Sequence, residues 1–153
     1  MLIRLVVCLA CVVLSACAEQ RHHLYDNAAA ALSSDEARGQ WIPAWLPHGA
    51  TDVHLQYDVD TNERWVRFTL PRDQRTTFLL HLNAMSESEI SALRIRSPRS
   101  ASWWFQGIID QQPANDGALN AKWFRGGGNQ IEPRVVVAFE RGTSQTFVFI
   151  PPA

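Results

Sequence analysis

Residues 53–70 read Val53-His54-Leu55-Gln56-Tyr57-Asp58-Val59-Asp60-Thr61-Asn62-Glu63-Arg64-Trp65-Val66-Arg67-Phe68-Thr69-Leu70. Val53, Leu55, Tyr57 and Val59 alternate with His54, Gln56 and Asp58, the period-2 pattern of a half-buried strand. Val66, Phe68 and Leu70 alternate in the same way with Trp65, Arg67 and Thr69. Between the runs, Asp60-Thr61-Asn62-Glu63 supplies turn chemistry. The stretch therefore predicts an antiparallel hairpin. Asp58-x-Asp60-x-Asn62 has the look of a calcium loop. Its sixth position is Glu63 where glycine is needed and its twelfth is Thr69 where glutamate is needed, so it reads as a turn.

Downstream, Pro71 closes the strand. Phe78, Leu79 and Leu82 form one apolar stripe of a helix over about residues 73–83. Ser86 and Glu89 make a capping box opening a second helix over about 87–94. Trp103-Trp104-Phe105 begins an irregular stretch that runs to about Ala121, long for a loop and therefore pinned by its own aromatics. Strands follow near 122–125, 134–140 and 145–150, with Arg141-Gly142-Thr143-Ser144 as the last turn. The last two are apolar on both faces, which places them mid-sheet or under a cover. This order predicts an α+β domain: an antiparallel sheet of about five strands with both helices on one face.

Upstream, Trp41-Ile42-Pro43-Ala44-Trp45-Leu46-Pro47 cannot be a regular helix and reads as a strap laid across the domain. Residues 17–40 hold few large apolar groups and read as a flexible tether, so the domain is expected to begin at Trp41 and to fold without it. His22-His23 has no third ligand at metal spacing. Before the tether, Arg4 and the apolar run Leu5–Ala16 are too short to span a bilayer, which needs about 20 residues, and fit a cleaved secretory signal. The three segments are thus 1–16, 17–40 and 41–153.

Leu14-Ser15-Ala16-Cys17 resembles the lipobox of bacterial lipoproteins. The resemblance implies cleavage before Cys17, diacylglyceryl transfer to its sulfur and acylation of the new amino terminus. Ala18 in place of aspartate implies outer-membrane rather than inner-membrane sorting. A second pattern, Trp41-x-Pro43-x-x-Leu46-Pro47-x-x-Ala50-x-Asp52-Val53 with the Asp60-Thr61-Asn62 turn and Trp103-Trp104, is similar to small bacterial lipoproteins. It implies a shared fold and no activity.

The chain carries 14 basic and 15 acidic residues, so no electrostatic nucleic-acid partner is expected. Of the three cysteines, Cys8 and Cys11 leave with the signal and Cys17 is the anchor, so stability must come from the core rather than a disulfide. There is no G-x-S-x-G elbow, and Gly126-Gly127-Gly128 lacks the Lys-Ser/Thr of a phosphate loop. His48, His54 and His81 are isolated. No catalytic set, metal site or cofactor is expected. The most suggestive group is the hairpin's outward register: His54, Gln56 and Asp58 facing Trp65, Arg67 and Thr69 on one side of the sheet. A Trp and an Arg among hydrogen-bonding groups match the composition of binding hot spots. His54, Gln56, Trp65 and Arg67 are therefore the expected partner surface. The ordinary alternatives are a face covered by the Trp41–Pro47 strap or a cross-strand pair of Arg67 with Asp58. If that face is buried, the Trp103–Gly117 loop is next. The function expected is a non-enzymatic binding module anchored in the outer membrane and facing the periplasm, in one form an immunity protein against a toxin. An envelope hydrolase acting on peptidoglycan and a structural component of an outer-membrane assembly are the alternatives.

Overall fold

The computed structural model describes residues 19–114 and 120–152. The lipobox and Cys17 lie outside the described residues. The strands are β1 (Gln20–Asn27), β2 (Thr51–Asp58), β3 (Arg64–Thr69), β4 (Leu82–Ala84), β5 (Ile108–Ile109), β6 (Gln112–Pro113), β7 (Ala121–Gly126), β8 (Val136–Glu140) and β9 (Gln145–Ile150). Among the described residues, four short helices accompany them: α1 (Ala28–Leu32), α2 (Asp35–Arg38), α3 (Arg72–Leu79) and α4 (Glu87–Ser91). Seven strands form one antiparallel sheet in the order β1-β2-β3-β9-β8-β7-β4, and β5 and β6 pair separately. The protein is α+β, with a wider sheet than the expected five strands.

Strand alternation gives this sheet two apolar faces. On the first lie Val53, Leu55, Tyr57, Val66, Phe68, Val137, Phe139, Val148 and Ile150. Ile42 and Leu46 of the proline-rich strap, Ala28 and Ala31 of α1, and Phe78 of α3 close over them. On the second lie Trp65, Trp123, Val136, Ala138, Phe147 and Phe149, roofed by Leu93, Ile95, Trp104 and Phe105. Where both faces are covered the strands need apolar residues at consecutive positions, which is why Val136–Phe139 of β8 and Phe147–Ile150 of β9 show no polar alternation.

Three expectations are corrected here. First, residues 20–40 are no tether. Strand β1 pairs with β2 from Gln20↔Asp58 to Asn27↔Thr51. Ala28 and Ala31 are fully buried, and the Ala28 amide donates to the Ala50 carbonyl at 2.8 Å. The domain begins near Gln20, not Trp41. An edge strand has a neighbour on one side only, so a largely polar sequence suffices and the apolar alternation is faint. Second, the helices are not on one face: α3 packs on the strap side through Phe78, whereas Ile90 and Leu93 go to the other side. Third, the first helix stops at Leu79, because Leu82 leaves it to pair with Gly126 as β4. The capping box at Ser86 and Glu89 is present.

The aromatic pinning of the long irregular stretch holds for Trp104 and Phe105, which are buried, while Trp103 is half-buried. A small hairpin, β5–β6, interrupts that stretch. Its turn residues Asp110 and Gln111 both adopt positive φ, at 48° and 66°, as a two-residue hairpin turn of type I′ requires.

Trp65 is completely buried and donates its indole N–H to the Arg96 carbonyl at 2.5 Å. Trp65→Ala is expected to cost about 3–5 kcal/mol, the usual range for truncating a buried aromatic. Chemical denaturation of the two proteins checks this, and a change below about 1 kcal/mol would show that the roof over the second face does not depend on Trp65.

Candidate functional site

The hairpin pairs in the expected register, His54↔Arg67 and Gln56↔Trp65, yet its four candidate residues divide into two groups. Gln56 and Trp65 lie under the roof. Gln56 Nε2 donates to Gln20 Oε1 at 2.7 Å and to the Arg99 carbonyl at 3.0 Å, and Gln20 Oε1 also accepts from the Arg99 amide at 2.8 Å. Both residues fasten the segment 93–105 to the sheet, and neither can meet a partner. The cover is this segment. The Trp41–Pro47 strap packs on the opposite face.

Asp58, the third member of that register, is also fully buried. Its Oδ1 accepts from the amides of Asp60 and Thr61 at 3.1 and 3.0 Å, and its Oδ2 from Gln20 Nε2 at 3.2 Å. Burial alone would raise its pKa, but the bonds from Gln20 and from the turn at Thr61 and Asp60 hold it below the ordinary carboxylate value. The resemblance to a calcium loop therefore reflects a carboxylate organising a tight turn. Glu63 accepts from Arg96 beside it. Arg67 does not pair with Asp58.

His54 and Arg67 lie beyond the edge of the roof, and Asp52, His22 and Trp103 complete their setting. A bulge in β2 lies between Thr51 and His54, and Asp52 there adopts φ 49°. The Asp52 carboxylate meets both neighbours: Oδ2 accepts from Arg67 Nη2 at 2.5 Å, and Oδ1 lies 3.1 Å from His54 Nε2. On the other side, His54 Nδ1 lies 3.3 Å from His22 Nε2 of β1. Trp103 stacks on both rings, with centroid distances of 5.4 Å to His22 and 5.2 Å to His54. Leu24, opposite His54 on the edge strand, is 59% exposed. The result is a half-open patch of two imidazoles, an indole, a leucine and a charge-paired arginine.

Its protonation follows from its surroundings. Burial is the main influence lowering the pKa of His54, and Arg67 adds to it, against the opposing pull of Asp52. For His22, burial again comes first, followed by repulsion from His23 and Arg67. Both imidazoles thus favour the neutral form. A neutral His54 donating from Nε2 to Asp52 has its Nδ1 lone pair free to accept from His22. Both His54 nitrogens are then engaged, and the lone pair left over lies on His22 Nδ1.

The remaining histidines do not converge on it. His48 and His81 flank an open cleft with Trp45, Gln74 and Phe78 on the strap side. Among the described residues, no three metal-ligating side chains cluster. His23 faces the other way, stacked on Tyr57 and 3.4 Å from Glu36.

Comparison with known proteins bears on this region. Residues 19–69 match the family model of the YbbD head domain. That span runs from the start of β1 through the strap to the end of β3, about a third of the chain, and includes His22, Asp52, His54 and Arg67 but not Trp103. Neither a curated protein nor a solved structure matches the chain.

Sequence reasoning did not join His22 or Asp52 to this site, and it held Trp103 only as part of the alternative Trp103–Gly117 loop. The first fell in the supposed tether, the second at an irregular strand entry, and the third is distant in sequence. Because both histidines have lowered pKa values in the fold, the unfolded chain binds more protons between the folded value and about 6.5. Stability is therefore expected to fall as pH drops from about 7 towards 5, above the range where Asp58 and Glu36 titrate. Thermal unfolding across that range checks this. In a His22→Gln, His54→Gln protein the dependence should flatten, and an unchanged slope would assign it to other groups.

Proposed function

We propose that the chain is a non-enzymatic binding module, anchored through Cys17 to the outer membrane on its periplasmic side. It takes a protein or an envelope component along the free edge of β1 and the adjoining His22–His54–Trp103 patch. One form of such a module is an immunity protein that captures a toxin entering the periplasm.

The observation carrying this reading is the edge. Among the described residues β1 pairs only with β2. It is eight residues long, contains no proline and exposes Leu24. An uncovered strand of this kind offers unpaired backbone donors and acceptors, which invite pairing by another chain. Beside it, flat aromatic rings and the Asp52–Arg67 pair supply the kind of amphipathic surface that recognition sites favour.

A photoreactive side chain at Leu24, in cells supplied with a clickable fatty acid, tests both halves. The chain should take up the label, and Cys17→Ser should abolish it. Leu24 should give a discrete adduct that Trp103→Ala removes, while a probe at Leu80, also exposed, gives none. Absence of the label overturns the anchor. Absence of the adduct, or the same adduct from Leu80, overturns the recognition surface.

A further inference from the structure

We infer that the β2–β3 tip, Val59–Asn62, rests in the phospholipid headgroup layer and that the histidine–tryptophan patch is held just above it. The inference rests on acylation of Cys17 and adds where the domain must then sit.

The argument begins with chain length. The Glu19 carbonyl accepts from the Val59 amide at 3.1 Å, and Gln20 pairs with Asp58 at the end of β2. The fold therefore takes hold of the chain at Glu19. Between the acylated residue and that point stands only Ala18. Consecutive Cα atoms are 3.80 Å apart, so two steps reach at most about 8 Å. The headgroup region of one leaflet is itself roughly 5–8 Å deep, taking the difference between the whole bilayer and its hydrocarbon core. A lipid-bound Cys17 thus cannot hold this end of the sheet clear of the surface.

The chemistry of the tip suits that position. Val59 is 41% exposed, an apolar group at a turn otherwise made of Asp60, Thr61 and Asn62. Of the charges beside it, Arg21 pairs with Glu19, Arg96 serves both Glu63 and Asp58, and Asp60 has no ion pair among the described residues. A tip with more carboxylates than cations is not drawn by anionic lipid, so contact is set by tether length rather than by attraction to surface charge. The occupant is the bilayer itself, anionic or zwitterionic.

The seat also orients the rest of the molecule. Strand residues advance about 3.3 Å each, so His54 lies about 13 Å along β2 from Asp58, and Thr51 about 23 Å. The patch formed by His22, His54 and Trp103 is then close above the headgroups. The β8–β9 turn at Arg141–Ser144, at the opposite end of the sheet, points away from the bilayer.

Site-directed spin labelling of the lipidated full chain in vesicles tests this. Because no unmodified cysteine remains after processing, Val59→Cys and Arg141→Cys can each be labelled alone. In vesicles of either neutral or anionic phospholipid, the label at 59 should lose most of its collisions with a water-soluble relaxant, while the label at 141 keeps them. Inserting a long Gly-Ser linker between Ala18 and Glu19 should restore access at 59. Mass spectrometry of the same sample reports the acyl chains: without them, the anchor reading falls and this inference with it. With acyl chains present, equal access at 59 and 141 overturns the seat alone. Shielding that persists with the long linker shows that the tip binds membranes by its own affinity, which overturns the tether-length argument. Shielding confined to anionic vesicles overturns the charge-independent contact.

Discussion

Two hydrogen bonds on one side of the sheet hold together what the strand pattern alone could not. Trp65 donates its indole N–H to the Arg96 carbonyl, and Gln56, its cross-strand partner, donates to the Arg99 carbonyl. A sheet with two apolar faces needs two covers. The first face has conventional ones, a proline-rich strap and short helices. The second depends on a segment with almost no regular structure, which supplies Leu93, Ile95, Trp104 and Phe105. Such a segment has few backbone partners of its own, so side chains from the sheet must provide them. Arg96 adds a third fastening by pairing with Glu63 and reaching Asp58 at the tip.

That roof ends part-way across the hairpin, and its edge creates the candidate site. Inboard residues of the outward register become core or fastening groups. Outboard, His54 and Arg67 stay near solvent, joined by His22 from β1 and Asp52 from the bulge. Trp103 belongs to both regions: it precedes the buried pair Trp104 and Phe105 and turns its own ring onto the histidines. The aromatic run in the sequence is thus divided between anchoring and surface roles, as three consecutive residues on an irregular segment must be.

Much of this was legible in the residues. The Val53–Leu70 alternation, the Ser86 capping box and the doubly apolar terminal strands each correspond to a local rule with a clear physical cause, and each appears in the fold. Gln56 and Trp65 show where local reading ends. Alternation placed them correctly on one face, but whether that face meets solvent depends on a segment about 30 residues later. Residues 20–40 fail for a related reason. Polar residues such as Arg21, His22 and Asp26 look like a tether, because an edge strand has little need of apolar groups and long-range pairing leaves no periodic trace. The match to residues 19–69 begins at this strand, consistent with β1 belonging to the hairpin it pairs with.

The account depends most on β1 being a permanent part of the sheet. It supplies the free edge and His22, and it brings the fold to within two residues of Cys17. Native-state hydrogen exchange measures this directly. The account predicts that β1 amides bonded to β2 are protected nearly as well as those joining β3 to β9. If β1 amides exchange as freely as those of an exposed loop while β3 and β9 stay protected, residues 20–27 are a tether after all, and both the recognition edge and the membrane seat are lost.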